Sequence, residues 1–259
     1  MIRSFYTAVS GMITQEAKQD VLTNNIANAN TVGFKQDDLS VGDFGEMLLQ
    51  NYDKVVGGKN VRNVIGDISL GSRVNGVNSE FSSGTIQDTG IATDFAIDGR
   101  GFFAVSRQEG NGNTTYYTRD GHFHVNINGI LVDDAGDTVL ARNTQTGALG
   151  PVDVGNGKMV CDSQGNISID GTQRYKLDTV DFNDYNALTK VGDNLYSGNG
   201  AVESNAVNVK QNSLESSNVN VVNAMADMLT TMRTFETNQK AVQSIDETLD
   251  KLVNEVGRV

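Results

Sequence analysis

Hydrophobic positions follow a helical step at both ends of the chain and an alternating step in its middle. Ile2, Phe5, Val9, Met12 and Ile13 recur at three- and four-residue intervals, and Leu22 and Ile26 resume the stripe beyond the small Ala17. The spacing predicts a helix from residue 2 to about 29, roughly 40 Å long at 1.5 Å per residue. The last segment carries Met225, Met228, Met232 and Phe235 at 3-4-3, then Val242, Ile245, Leu249, Leu252 and Val256 at 3-4-3-4. These runs fall out of phase across Thr237–Ala241, so the pattern predicts a helix without one unbroken heptad seam. Glu236 before Lys240 and Glu247 before Lys251 support it at i,i+4, and Asn218 or Asn220 is the expected N-cap.

Between about 66 and 210 the punctuation changes. "DGHFHVNINGILVDDAGDTVLAR" alternates and breaks at Asn128-Gly129 and at Asp134–Gly136, which is a hairpin signal. "DFAIDGRGFFAVSRQEGNGNTTYYTRDG" and "QGNISIDGTQRYKLDTVDF" continue the pattern, and an antiparallel β domain is expected over 67–205. Residues 36–66 read as a mostly extended arm, with a short helix suggested by Phe44, Met47 and Leu48 and a break at Gly57-Gly58.

The expected fold is therefore α+β, with N- and C-terminal α-helices paired as an antiparallel hairpin or coiled coil and a central antiparallel β domain. Its parts are an N-terminal helix (1–32), an extended arm (33–66), a β-rich domain (67–205), and a connector with the C-terminal helix (206–259). Two helices leave apolar surface uncovered, which marks an interaction surface. A repeated head-to-tail contact that does not close generates a filament, so the pattern points to a self-assembling subunit.

"LTNNIANANTVGFK" (22–35) complicates the end of the first helix. Asn24, Asn25, Asn28 and Asn30 crowd it, although asparagine is a poor helix former. Asn24, Asn25 and Asn28 make a polar stripe beside Leu22, Ile26 and Ala29. An amide donates and accepts without a charge to desolvate, so this stripe suits packing against neighbouring subunits. Gly33 offers a permissive backbone for the turn that follows.

Composition narrows the function. The 259 residues hold 28 glycines, one proline, no tryptophan and 38% hydrophobic residues, which suits an extended or modular chain. A formal net charge of −12 argues against nucleic acid and anionic membrane surfaces as partners. Cys161 is the single cysteine, so neither an internal disulfide nor a cysteine-based zinc site is expected. The first 20 residues lack the apolar run of a cleaved signal, and no stretch is apolar enough to insert in a membrane.

Candidate chemistry is sparse. His122 and His124 share a strand face but lack an evident third metal ligand. Asp133, Asp134 and Asp137 around Gly136 lack the EF-hand spacing and read as a polar turn. "GRG" (99–101) is an incomplete nucleotide fingerprint and reads as a tight turn before "FFAV". No catalytic, cofactor-binding or metal residue is expected, and the chain is not expected to be an enzyme. A cell-wall glycan hydrolase or a surface fibre protein are the readings from other classes, but no arrangement among the 32 acidic residues picks out a catalytic pair.

Three blocks carry a more specific signal. "NNIANANTVGFK" (24–35) resembles the N-terminal signature of bacterial flagellar axial proteins, the rod and hook family. "DFAIDGRGFFAV" (94–105) with "YTRDGHFHVNINGILVDDAGDTVL" (117–140) resembles the family's central block. "LESSNVNVVNAMADMLTTMRTFETNQKAVQSIDETLDKL" (214–252) resembles its C-terminal signature. The blocks cover about a third of the chain, in family order. The length fits a rod subunit rather than a hook subunit. Residues 47–77 stand where members of the distal rod carry an extra arm, but they lack the usual proline before "ISLGSRV". Asn223-Ala224 also stands where acidic residues are common, which leaves a proximal rod member or a hook protein open.

The resemblance is best to the distal rod members and implies a structural subunit of the basal-body rod in its distal part, exported through the flagellar export apparatus without a cleaved signal and polymerising with itself and with other rod and hook subunits. The implied location is the envelope-spanning rod, with the helices in an inner core and the β domain outside. The candidate assembly residues are Ile2, Phe5, Val9, Leu22, Asn24, Asn25, Ile26, Asn28, Asn30, Gly33 and Phe34 at one end. At the other they are Ser217, Asn218, Val219, Met225, Met228, Leu229, Met232, Phe235, Asn238, Val242, Ile245 and Leu249.

Overall fold

Both terminal segments are helical. In the computed structural model, which describes residues 2–56, 59–110, 112–204 and 207–256, helix α1 spans Ile2–Ala27 and helix α2 spans Val221–Lys251. Gly57-Gly58 and the side chains of Ile2 and Val256 lie outside what is described. Asn220 is the N-cap of α2: its side chain accepts from Asn223 N at 3.1 Å, meeting one of the orphan donors of the first turn.

The chain divides into two compact units. The first holds α1, residues 37–78 and α2, and in it the two helices pack on one another. The inward face of α2 is Val221, Ala224, Met228, Thr231, Phe235, Asn238, Val242, Ile245 and Leu249, all buried or half-buried. These residues step 3-4 without a break, which corrects the expectation of an interrupted seam. The small and polar members Ala224, Thr231 and Asn238 hide the seam from a reading of apolar residues alone. Met225 and Met232, grouped with that face by sequence, lie outside it and are exposed. Gly11 of α1 faces Asn238: a Cβ there would stand 3.0 Å from Asn238 Nδ2.

Four strands complete this unit. β1 (Asp37–Asp43) is hydrogen-bonded to β4 (Ser72–Ser79), and β2 (Glu46–Val56) pairs antiparallel with β3 (Lys59–Ser69). The short helix suggested by Phe44, Met47 and Leu48 does not form. Met47 and Leu48 pair in β2 with Ile68 and Asp67, because the ladder satisfies their backbone groups across a register that local periodicity does not reveal.

The second unit comprises residues 28–36 and 79–219. Its strands begin with β5 (Ile86–Asp88), β6 (Phe95–Asp98), β7 (Phe102–Glu109), β8 (Gly112–Thr118), β9 (His124–Val125), β10 (Leu131–Val132), β11 (Thr138–Asn143) and β12 (Leu149–Pro151). They continue with β13 (Met159–Cys161), β14 (Asn166–Ile169), β15 (Thr172–Leu177), β16 (Thr179–Asp181), β17 (Thr189–Gly192), β18 (Leu195–Ser197), β19 (Val202–Glu203), β20 (Asn208–Gln211) and β21 (Ser213–Glu215). The main sheet runs β13-β14-β15-β11-β7-β8-β18-β17, antiparallel throughout. The segment leading to α2 is part of this body, since β20 pairs with β6 and β21 with β5.

The turn at Asn128-Gly129 forms as predicted: Gly129 has φ +82°, and Asn126 Oδ1 accepts from Asn128 N and Ile130 N. Inward positions of the strands build one core around Phe95, Ile97, Phe103, Val105, Leu131, Val139, Ile167 and Leu195. A second, aromatic cluster gathers Phe102, Phe182 and Tyr196 with Phe81 and Tyr185. Burying each such aliphatic or phenylalanine side chain contributes roughly 1.5–3 kcal/mol.

Candidate assembly site

The asparagine-rich end of α1 has two fates. In the helical unit Leu22 is buried, Ile26 is half-buried and Asn24 is exposed. Asn25 is only 5% exposed and turns its amide onto the chain's own backbone, donating to Asp37 O at 2.8 Å and accepting from Asp37 N at 2.9 Å. Asn25 thus serves the first residue of β1, where the sequence reading placed it against a neighbouring subunit. Phe5 and Val9 are half-buried on α1.

In the β unit, Asn28 closes a turn: its carbonyl accepts from Thr31 N and its side chain from Thr31 Oγ1. Asn30 is exposed beside it. Gly33 is required twice over. Its φ is +65°, and a Cβ would stand 2.5 Å from both Arg119 C and Asp120 N. Phe34 is 2% exposed, with the Lys190 ammonium 4.2 Å above its ring.

Directly after it lies a feature that sequence reasoning missed. Lys35 is fully buried, and its Nζ donates to Glu215 Oε1 at 2.7 Å and to Ser82 O at 2.8 Å. Arg119 Nη1 reaches Glu215 Oε2 at 3.3 Å, its guanidinium stacks 5.3 Å from the Phe102 ring centre, and Gly84 N donates to Glu215 Oε1 at 2.8 Å. Burial pulls the Lys35 pKa down, opposed by the charge and hydrogen bond of Glu215. One buried carboxylate therefore gathers two cations from distant parts of the chain. Each of the three sits in or beside a quoted block, but nothing in their spacing announces the contact.

Asn218 does not cap α2. Its Oδ1 accepts from Gln36 N at 2.8 Å, and its Nδ2 donates to Glu80 O at 2.9 Å and to Ser82 Oγ at 3.0 Å. Ser217 Oγ accepts from Val219 N at 3.2 Å, and all three residues of this stretch are half-buried.

On α2 the candidates separate into two faces. Met228, Phe235, Asn238, Val242, Ile245 and Leu249 belong to the inward seam. Met225 and Leu229 are 51% and 58% exposed, and with Val222 and Met232 they make a second apolar stripe beside the seam, one residue on from it and so about 100° around the helix. An exposed stripe of this kind marks a contact surface.

The groups weighed for other chemistry are occupied structurally. His122 Nδ1 lies 3.1 Å from Asp94 Oδ1, and both His122 and His124 stand 3.8 Å from Asp134 Oδ1. Asp133 Oδ1 accepts from Ala135 N and Asp137 N, while Asp137 pairs with Arg107 at 2.8 Å. Among the described residues, no group of three His, Cys, Asp or Glu side chains could hold a metal ion. Burial pushes the Cys161 thiol up to about 12. Arg100, in the "GRG" turn, donates to Tyr185 Oη and Phe182 O. Among the described residues, no helix is long and apolar enough to cross a membrane.

Helical termini folded on one another, an antiparallel β body and an apolar stripe left outside define an α+β chain of the structural-subunit class. Residues 5–35 match the family described as "Flagella basal body rod protein", residues 96–178 the "Flagellar hook protein FlgE/F/G D1 domain", and residues 210–255 the "Flagellar basal body rod FlgEFG protein C-terminal". The chain is 34% identical over 276 residues to the flagellar basal-body rod protein FlgG of Bacillus subtilis, covering 98% of this chain and 99% of that protein. It is 31% identical to the flagellar hook-basal body complex protein FlhO of the same organism, with both chains fully covered. It is 33% identical to the flagellar basal-body rod protein FlgF of Caulobacter vibrioides, again over the full length of both. The chain belongs to the flagellar basal-body rod protein family.

Proposed function

We propose that this chain is a subunit of the distal rod, polymerising into the tubular shaft that links motor to hook. The observation that carries the reading is the second apolar stripe of α2, which remains exposed after the inward seam has paired with α1. Full-length likeness to proteins named FlgG supports the distal position. In this reading the paired termini form an antiparallel coiled coil in the inner part of the shaft, and the β body forms the outer part. The role is structural rather than catalytic. The chain leaves the cell interior through the flagellar export apparatus without a cleaved signal, and meets other rod and hook subunits at its ends.

Deleting the gene tests this. The expected result is loss of swimming, with basal bodies lacking the distal part of the rod in electron micrographs. Intact rods in the deletion strain overturn it. Likeness to FlgF favours a proximal rod member as the second reading, and rods that stop short at their base would select it.

A further inference from the structure

We infer that a groove on α1 receives the outward stripe of α2 from a second copy of the chain. The groove, about 430 Å³, lies within the helical unit between α1, the start of β4 and the residues Phe44 and Leu70. Tyr6, Val9 and Ile13 form one wall, and Phe44, Leu70 and Val74 form the other. Tyr6, Ile13 and Phe44 are each more than half exposed, at 65%, 57% and 56%. Arg73 is the one charged residue lining it.

The occupant follows from another exposed surface of the same unit. Val222, Met225, Leu229 and Met232 step 3-4-3 along the outside of α2, and Glu236, Gln239, Gln243, Asp246 and Asp250 extend the same exposed line. The stripe is thus apolar in its first half and acidic in its second, while the groove is apolar with one basic residue in its lining. The two match in both character and charge. The seam already packs α2 against α1, and no residue of the stripe lines the groove of its own chain. A patch and a complementary pocket at different places on one chain give a head-to-tail contact that does not close, and this builds a filament. The inference rests on the rod reading above and names the contact that reading requires.

The test uses the full chain carrying Cys161→Ser, Ile13→Cys and Leu229→Cys, expressed in flagellated cells in place of the native copy. Basal bodies are isolated and oxidised. Expected is a ladder of species at two and more times the chain's mass with both introduced cysteines, lost when either is reverted. A chain present in basal bodies that forms no such species, links only within itself, or links to a protein of another mass overturns this contact and leaves the rod reading standing. Absence of the unaltered native chain from basal bodies overturns both. Where the cysteine chain fails to accumulate, charge exchange decides. Arg73→Glu and Glu236→Arg should each reduce incorporation, and the double exchange should restore it. A double exchange no better than either single change overturns the contact.

Discussion

Asn25 pairs with Asp37 as a strand residue would, its Nδ2 donating to the Asp37 carbonyl at 2.8 Å and its Oδ1 accepting from the Asp37 amide at 2.9 Å. One helical side chain thus satisfies both backbone groups of the first residue of β1, at a site that is nearly closed to water. Replacing it by leucine removes both bonds, and a buried polar group that loses its partner costs about 1–3 kcal/mol. Asn25→Leu is expected to lower the unfolding free energy of the monomer by about 2–4 kcal/mol in urea titrations. Unchanged monomer stability would return Asn25 to the role of a contact between subunits.

Gly33→Ala should be far more damaging than Gly45→Ala, although both glycines have positive φ (+65° and +62°). Left-handed backbone costs a non-glycine residue about 1–2 kcal/mol, and that is the whole cost at Gly45, where a Cβ meets nothing within 4 Å. At Gly33 the new carbon also collides with the backbone of Arg119 and Asp120. Thermal melts of the two variants should differ by several degrees, with Gly33→Ala the lower. Equal melts would mean that the Arg119–Asp120 backbone yields freely.

Much of this architecture was legible beforehand, and the failures share a cause. The terminal helices, the hairpin at Asn128-Gly129 and the N-cap at Asn220 follow from local rules of period, turn and cap. The heptad seam of α2 escaped because Ala224, Thr231 and Asn238 occupy inward positions that a count of large apolar residues passes over. Asn25, Gly33 and Lys35 take their roles from Asp37, Arg119 and Glu215, partners fixed by tertiary packing, and no periodicity encodes those pairings. Met47 and Leu48 joined a strand for a like reason: their partners in β3 decide the outcome.

Glu215→Gln keeps the size of the side chain and removes the counter-charge of two buried cations. Breaking a buried pair in this way typically costs 3–5 kcal/mol, because the remaining charge is left uncompensated. Lys35→Met should cost less, since Arg119 still pairs with Glu215 at 3.3 Å. Chemical denaturation of both variants at neutral pH checks the order. A Lys35→Met variant weaker than Glu215→Gln would show that the ammonium, through its bond to Ser82 O, holds the site together.

Asp120 should make stability fall between pH 4 and 6. Burial, with the charge of Asp134, raises its pKa from 3.8 to about 6, although the His122 amide bond opposes the rise. A raised folded pKa means that the folded chain holds this proton more tightly than the unfolded one. The contribution is complete below about 4 and is lost as pH climbs through about 6. Asp120→Asn keeps an acceptor for His122 N and should flatten this part of the pH profile, raising stability at pH 7 by about 1–3 kcal/mol. A wild-type profile without that decline would place the proton elsewhere.

Met225 and Met228 stand three residues apart on α2 and should fail in different assays. Met228 lies on the seam with α1, so Met228→Ala removes packing within the chain. About 1–2 kcal/mol of stability should go, below the 2–5 typical of a fully buried site because the side chain is only half-buried. Met225 is 51% exposed on the outward stripe, and Met225→Ser should leave the monomer within about 0.5 kcal/mol of the parent. Its effect should appear instead in cells, as less chain recovered in isolated basal bodies and smaller swimming halos. The dissociation between the assays is the informative result. If Met225→Ser destabilises the monomer as much as Met228→Ala does, the stripe is not free and the seam is wider than nine positions of one heptad line. If it disturbs neither assay, the outer face of α2 is ordinary solvated surface and assembly is carried elsewhere on the chain.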